Sequence, residues 1–115
     1  MQPTTSYSRG DVVLVEFMFS DESGAKLRPA LVVSSDRYHS ARQEVIIAAI
    51  TSNVTRRLFG DHDLTSWQEA GLLFPSTVTG ILRTVQRTGI RRRLGSLETT
   101  DLSSVGQALR RALAL

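Results

Sequence analysis

The chain has 115 residues, 41% of them hydrophobic, and a formal net charge of +3; a chain of that length forms one domain, here residues 1–115, that buries a core without cross-links. It contains no cysteine, which excludes disulfides, thiolate metal sites and cysteine nucleophiles. The opening MQPTTSYSRGD has no apolar leader region, and no apolar run reaches the roughly 18 residues of a membrane span, so the expectation is a cytoplasmic protein with no membrane partner.

The first predicted strand, Asp11 to Phe19 (DVVLVEFMF), alternates and is rich in β-formers. SDESGAK follows as a loop on Gly24, and PALVVSS (Pro29 to Ser35) reads as the second strand, with proline tolerated at its first position. Arg28 stands at the join. From the residues alone two readings stay open: a guanidinium held at a rigid rim to grip a phosphate, or a structural arginine bonded to loop carbonyls, Asp11 or Glu16. DRYHSAR reads as a polar connection, and EVIIAAI (Glu44 to Ile50) as a third strand covered on both faces.

TSNVTRR leaves the core, and LFGDHDL reads as a short, bulged edge strand around Gly60. TSWQEAG opens with a cap signature, Thr65 or Ser66 followed by Gln68 and Glu69, and predicts one or two helical turns ending at Gly71. STVTGILRTVQ is strand-like with a bulge at Gly80, and TGIRRRLGSL is a turn followed by a short extended piece. At the end, Leu102, Val105, Leu109, Ala112 and Leu113 recur at helical spacing, with Thr100 or Asp101 as the cap. Five or six short strands and one long terminal helix describe an antiparallel barrel or curled sheet with a helix packed on it.

The charge is uneven. Residues 83–115 carry seven arginines against Glu98 and Asp101, whereas the first 82 residues hold seven basic and nine acidic groups. Thirteen of the fourteen basic residues are arginine, the side chain suited to planar, bidentate phosphate recognition. A basic C-terminal third points to an anionic partner, nucleic acid first among them; the bland alternative makes RTGIRRRLG a solvated edge.

RGDVVLVEF, a glycine loop, LRPALVVS and AAITSN, followed in order by WQEAGLLFPSTV, LRTV and LGSL, resemble the PemK/MazF/Kid family of toxin endoribonucleases from about Arg9 to Leu113. The resemblance implies a mainly β fold with helices: an SH3-like small β-barrel of CcdB/PemK type with a C-terminal α-helix. It implies the toxin component of a type II toxin–antitoxin system, a homodimer that cuts single-stranded RNA without metal or cofactor. The products would be a 2′,3′-cyclic phosphate and a free 5′-hydroxyl. The partner is a cognate antitoxin that covers the dimer groove, in a complex that binds DNA.

Residue by residue, the family's catalytic arginine falls on Arg28 in LRP and its strand-end hydroxyl on Thr51 in AAITSN. Its RNA-contacting loop falls on Ser20, Asp21, Glu22 and Ser23. One segment departs from the pattern: where relatives carry an arginine and an aspartate, or a glutamine, just before the RT dipeptide, this chain has Thr79, Gly80 and Ile81 before Arg83 and Thr84. Either another residue substitutes, or catalysis leans harder on Arg28 and Thr51, or activity is low. The rival readings are a family member that does not cleave and a CcdB-like toxin that binds DNA gyrase, since a shared fold does not fix function.

RNA carries its own nucleophile, the 2′-hydroxyl, so a metal-free ribonuclease must remove its proton, stabilise charge on the non-bridging oxygens and protonate the departing 5′-oxygen. Fixed donors aimed at that charge make the largest contribution, and an arginine fork at a strand end supplies them. Thr51 and Ser52 offer hydroxyls. Asn53, Arg56, Arg57 and Arg83 suit contacts that hold the strand without reading it. Arginine is an awkward base; Glu16, Asp21 and Glu22 are the carboxylate candidates, while His39 and His62 fall in polar connections and read as surface residues. Phe17, Phe19, Trp67 and Phe74 are possible stacking platforms, three of them expected in the core or an interface, and LLFPS around Phe74 suits a dimer contact.

Overall fold

The computed structural model describes residues 6–18 and 25–115. Six strands make one sheet: β1 (Asp11–Met18), β2 (Ala25–Val32), β3 (Glu44–Thr51), β4 (His62–Asp63), β5 (Thr77–Gln86) and β6 (Ile90–Ser96), in the order β4-β5-β3-β2-β1-β6. Among the described residues two α-helices accompany them, α1 (Asp36–Ala41) and α2 (Thr99–Leu113), with a 3-10 turn at Arg87–Gly89. Every ladder is antiparallel.

The sheet is not closed, which corrects the expected SH3-like barrel. β4 and β6 lie at opposite ends of the order, and no ladder joins them among the described residues. The physical reason lies in the middle of the sheet. β1 pairs with β2 from Val12↔Leu31 to Met18↔Ala25, and β3 pairs with β5 from Glu44↔Gln86 to Thr51↔Thr77. β2 and β3 share only Ala30↔Ala49, Leu31↔Ala48 and Val32↔Ile47. Beyond Ala30 the two ribbons separate.

Pro29 marks that point, inside β2 and not at its start as the sequence suggested. Gly10 N donates to Val32 O on the β1 side, and Val33 N donates to Ile46 O on the β3 side. Backbone polar groups alternate between neighbours along an antiparallel strand, so residue 29 addresses β3. As a proline it has no N–H to give. Its pairing with Leu14 on the other side is untouched.

Hydrophobic residues fill both faces. On one, Val12, Leu31, Ala48, Ile50 and Val78 pack with Leu72, Leu97 and, from α2, Val105 and Leu109. On the other, Val13, Val15, Phe17, Ala30, Val32, Val45, Ile47 and Ile90 form a cluster that includes no helical residue, so the sheet buries it by curling. β3 shows no exposed position, as its apolar run predicted. β5 carries a register shift opposite Ala48 and Ile50, which places the expected bulge around Gly80.

Three local expectations are revised. DRYHSAR is not an open connection: Asp36–Ala41 form α1, capped by Ser35, whose Oγ accepts from Tyr38 N at 3.1 Å. TSWQEAG makes hydrogen-bonded turns (Gly71 N to Gln68 O, 3.0 Å; Leu72 N to Trp67 O, 3.2 Å) and no regular helix. The cap position of α2 is Glu98, not Thr100 or Asp101.

Candidate functional site

The separation of the two ribbons leaves a cleft of about 740 Å³. Arg28 and Pro29 line it from β2, Ile50, Thr51 and Ser52 from the end of β3, Ile81 and Arg83 from β5, and Leu14 and Arg92 from β1 and β6. The segment Leu72–Phe74 forms one wall. Cross-strand partners share a face: Arg28 pairs with Val15 and Arg83 with Ile47, on the curled side. Leu14 pairs with both Pro29 and Arg92 on the other side. The opening therefore crosses the sheet at the fork.

Arg28 is exposed on the rim, not sealed beneath it. Of the two acids named as structural partners for it, Glu16 pairs with Arg91, and Asp11 accepts from Ser8 N at 2.8 Å and pairs with Arg93 at 2.9 Å. Thr51 is half-buried, and its Oγ1 accepts from Asn53 N at 3.0 Å. That bond closes the strand-end turn and uses an oxygen lone pair, which leaves the O–H proton to donate. Arg83 places its guanidinium 5.7 Å from the centre of the Phe17 ring. Among the described residues, no carboxylate or imidazole lines the cleft, and no His, Asp and Glu side chains group so as to hold a metal ion.

The remaining sequence candidates sit elsewhere. Asn53 Oδ1 accepts from Thr55 Oγ1 at 2.7 Å, organising its own loop. Arg56 grips Asp61 through two bonds of 2.8 and 3.1 Å, and Asp61 also accepts from Leu58 N and Gly80 N. Burial works to raise the Asp61 carboxyl, but the Arg56 bond and the two backbone donors outweigh it and hold it below the ordinary range. Arg57 is exposed, 3.8 Å from Asp63. Ser20, Asp21, Glu22, Ser23 and Phe19 lie outside the described residues.

Both histidines serve the framework. His39 is buried in α1, with Nδ1 donating to Tyr7 O at 2.8 Å and Nε2 meeting Ser34 Oγ at 2.5 Å. His62 Nε2 lies 2.9 Å from Asp101 Oδ1. Asp101 is 1% exposed and also accepts from Thr65 N, Thr65 Oγ1 and Ser66 N. Burial opposes ionisation of this carboxyl, yet the donors prevail and keep it below the usual range. Phe17 lies in the core on one face of the sheet and Trp67 packs against the core on the other, while Phe74 is 63% exposed on the cleft wall.

The family profile of the PemK-like, MazF-like toxins of type II toxin–antitoxin systems matches residues 8–113. The chain belongs to that family. The toxin is 30% identical over 107 residues to the endoribonuclease MazF6 of Mycobacterium tuberculosis and, equally, to the endoribonuclease MazF2 of Mycobacterium bovis, covering 84% of this chain and 86% of each relative. A MazE–MazF crystal structure from Deinococcus radiodurans superposes with a TM-score of 0.79 at 18% identity, covering 97% of this chain and 99% of that one. A mycobacterial endoribonuclease solved with its cognate antitoxin gives 0.77 at 19% identity, covering 96% and 97%. Among the toxin's described residues, no helix is long and apolar enough to cross a membrane.

The segment that departs from the family pattern is structural at one position and part of the cleft at another. Thr79 is 2% exposed and donates to Ala49 O at 2.7 Å, bridging the bulge; Ile81 turns an apolar side chain into the cleft. Arg92 is the cleft residue that sequence reasoning missed as a site residue. Alternation could not have given it, because register shifts fall on both sides of Arg92 and its face is set by its pairing with Leu14.

Proposed function

We propose that the toxin's ribonuclease centre is the cleft at the fork, where Arg28 clamps the scissile phosphate and Thr51 aligns it against the attacking ribose. The observation that carries this reading is that Arg28, Thr51 and Arg83 converge on one opening whose described lining bears no negative charge. The substrate is single-stranded RNA, since a duplex would hold the 2′-hydroxyl away from the in-line geometry. As the 2′-oxygen bonds to phosphorus and its proton passes to water, which later returns one to the departing 5′-oxygen, charge grows on the non-bridging oxygens. Arg28 and Arg83 meet that charge with fixed N–H donors, and the Thr51 and Ser52 hydroxyls add two more. The P–O5′ bond then breaks, leaving a 2′,3′-cyclic phosphate and, after protonation, a 5′-hydroxyl. No step draws on a metal.

The reading includes a homodimer, a cognate antitoxin and a cytoplasmic location; the antitoxin is supported by the relatives solved with one. The deciding experiment is cleavage of a long RNA in EDTA with end mapping, for the wild type and for Arg28→Ala and Arg28→Lys. Arg28→Ala is expected to lose on the order of 10²–10³ in rate, with Arg28→Lys between. Because Arg28 is exposed, the thermal melt stays near the wild type. Intact RNA with the wild-type toxin, or full activity in Arg28→Ala, rejects the assignment.

A further inference from the structure

β6 presents three consecutive arginines, and the structure treats them differently. Arg91 is paired with Glu16. Arg93 is paired with Asp11 at 2.9 Å, donates to Ser6 O at 2.6 Å and lies 5.5 Å from the centre of the Tyr7 ring. Arg92, between them, pairs across β1 with Leu14 and so faces away from Arg93, which pairs with Val13; a register shift falls at Arg91. It is exposed, lines the cleft and has no hydrogen bond or ion pair among the described residues. An unneutralised guanidinium beside a low-dielectric surface focuses its field into the opening. That surface is apolar here: Leu14 is its cross-strand partner, and Leu94 lines the same opening.

The register gives its position relative to Arg28. Arg92, Leu14 and Pro29 stand in one rung of adjacent strands, which places the β6 and β2 backbones about 10 Å apart. Arg28, the next residue along β2, points to the opposite face. The two guanidiniums therefore reach the cleft from opposite sides of the sheet and cannot fork onto one phosphate as a pair. A single strand passing through the fork meets Arg28 and Arg83 on one side and Arg92 on the other.

We propose that Arg92 is a positioning residue that holds a second backbone phosphate of the bound strand, away from the scissile one. This rests on the ribonuclease reading for its substrate. It makes Arg92 a determinant of binding and not of the bond-breaking step. An acidic peptide could satisfy the same charge, but the rung alignment with the fork favours a strand that also reaches Arg28.

The test measures both binding and turnover. Binding is read with a short, fully 2′-O-methylated RNA strand, which cannot be cut, across a salt series. Arg92→Gln is expected to weaken binding by roughly ten- to a hundredfold, the range for a hydrogen bond to a charged group. The slope of log affinity against log salt should fall by about 0.7, one single-strand phosphate contact. Arg92→Lys should restore most of the slope. In cleavage, Arg92→Gln should raise KM and leave kcat near the wild type. Arg111→Gln, the same loss of charge on the exposed side of α2, should change neither. Wild-type affinity and slope in Arg92→Gln overturn the proposal. A fall in kcat at constant KM, or loss of antitoxin binding alone, overturns it equally. Should the wild type leave RNA intact, the ribonuclease reading fails, and the binding series still decides whether Arg92 holds a phosphate.

Discussion

Replacing Asp101 with alanine removes the acceptor for His62 Nε2, Thr65 N, Thr65 Oγ1 and Ser66 N in one step. Two of these donors are backbone N–H groups that cannot rotate away, and each polar group left unsatisfied costs about 1–3 kcal/mol. Loss of a carboxylate from the first turn of α2 adds a further 0.3–1 kcal/mol or so through the helix dipole. A total of about 2–7 kcal/mol is a large part of the roughly 5–15 kcal/mol that holds a domain of this size. At about 4 °C per kcal/mol, the melt should fall by around 8–28 °C. Asp101→Asn keeps one acceptor and should fall less.

The acid limb gives a second readout of the same group. The folded-state pKa of Asp101 is depressed, so the unfolded chain binds the proton first as pH drops. The stability from this carboxylate is complete above the ordinary carboxylate range, near pH 4, and drains away as pH falls through the lower folded value. Asp101→Asn should therefore flatten the decline between neutral and acid pH. The assay is thermal melting by circular dichroism at matched protein concentration, at neutral pH and on the acid side. An Asp101→Ala melt within a degree or two of the wild type at neutral pH would refute the reasoning.

Three further outcomes are expected. Pro29→Ala supplies the N–H that β2 lacks toward β3; one more rung can form, and amide exchange should show a protected residue 29 together with reduced RNA cleavage and no loss of stability. Unchanged cleavage would count against the proline as the wedge of the fork. Gly95→Ala would set a Cβ 2.5 Å from Ala70 O, so the strand or the turn must shift, at about 1–3 kcal/mol as for other overpacked sites; a wild-type melt argues against that contact. His62→Gln should lower stability through Asp101 yet leave the shape of the pH–rate profile for cleavage unchanged, whereas a lost limb in that profile would make His62 part of the chemistry.

Local pattern revealed most of the strands and the terminal helix. Alternation in DVVLVEFM and the unbroken run EVIIAAI are properties of neighbouring residues, and both strands lie where those residues place them. The beginning of β2 was hidden because Ala25–Arg28 carries two charges in four residues and follows Gly24. What makes it a strand is Val15–Met18 across the ladder, not its own composition. α1 escaped notice because six residues are too few for helical periodicity to register, although the Ser35 cap was visible. Closure of the sheet is a property of strand order, and no local pattern encodes it. Of the residues proposed for the site, Arg28 and Thr51 came from the resemblance and Arg83 from its position near them. The bond between His62 and Asp101 was not, because 39 positions separate them.

At Gly71 and Gly95 main chain rests directly on main chain: a Cβ at Gly71 would fall 2.1 Å from Leu94 O, and one at Gly95 would fall 2.5 Å from Ala70 O. Nothing soft separates the turn before Leu72–Phe74 from the strand that carries Arg92. The two travel as one piece, as a lever and its handle do. Any occupant that shifts the backbone at Gly71 must also move the Arg92 strand, so the foot of the apolar wall and the charge beside it keep their spacing.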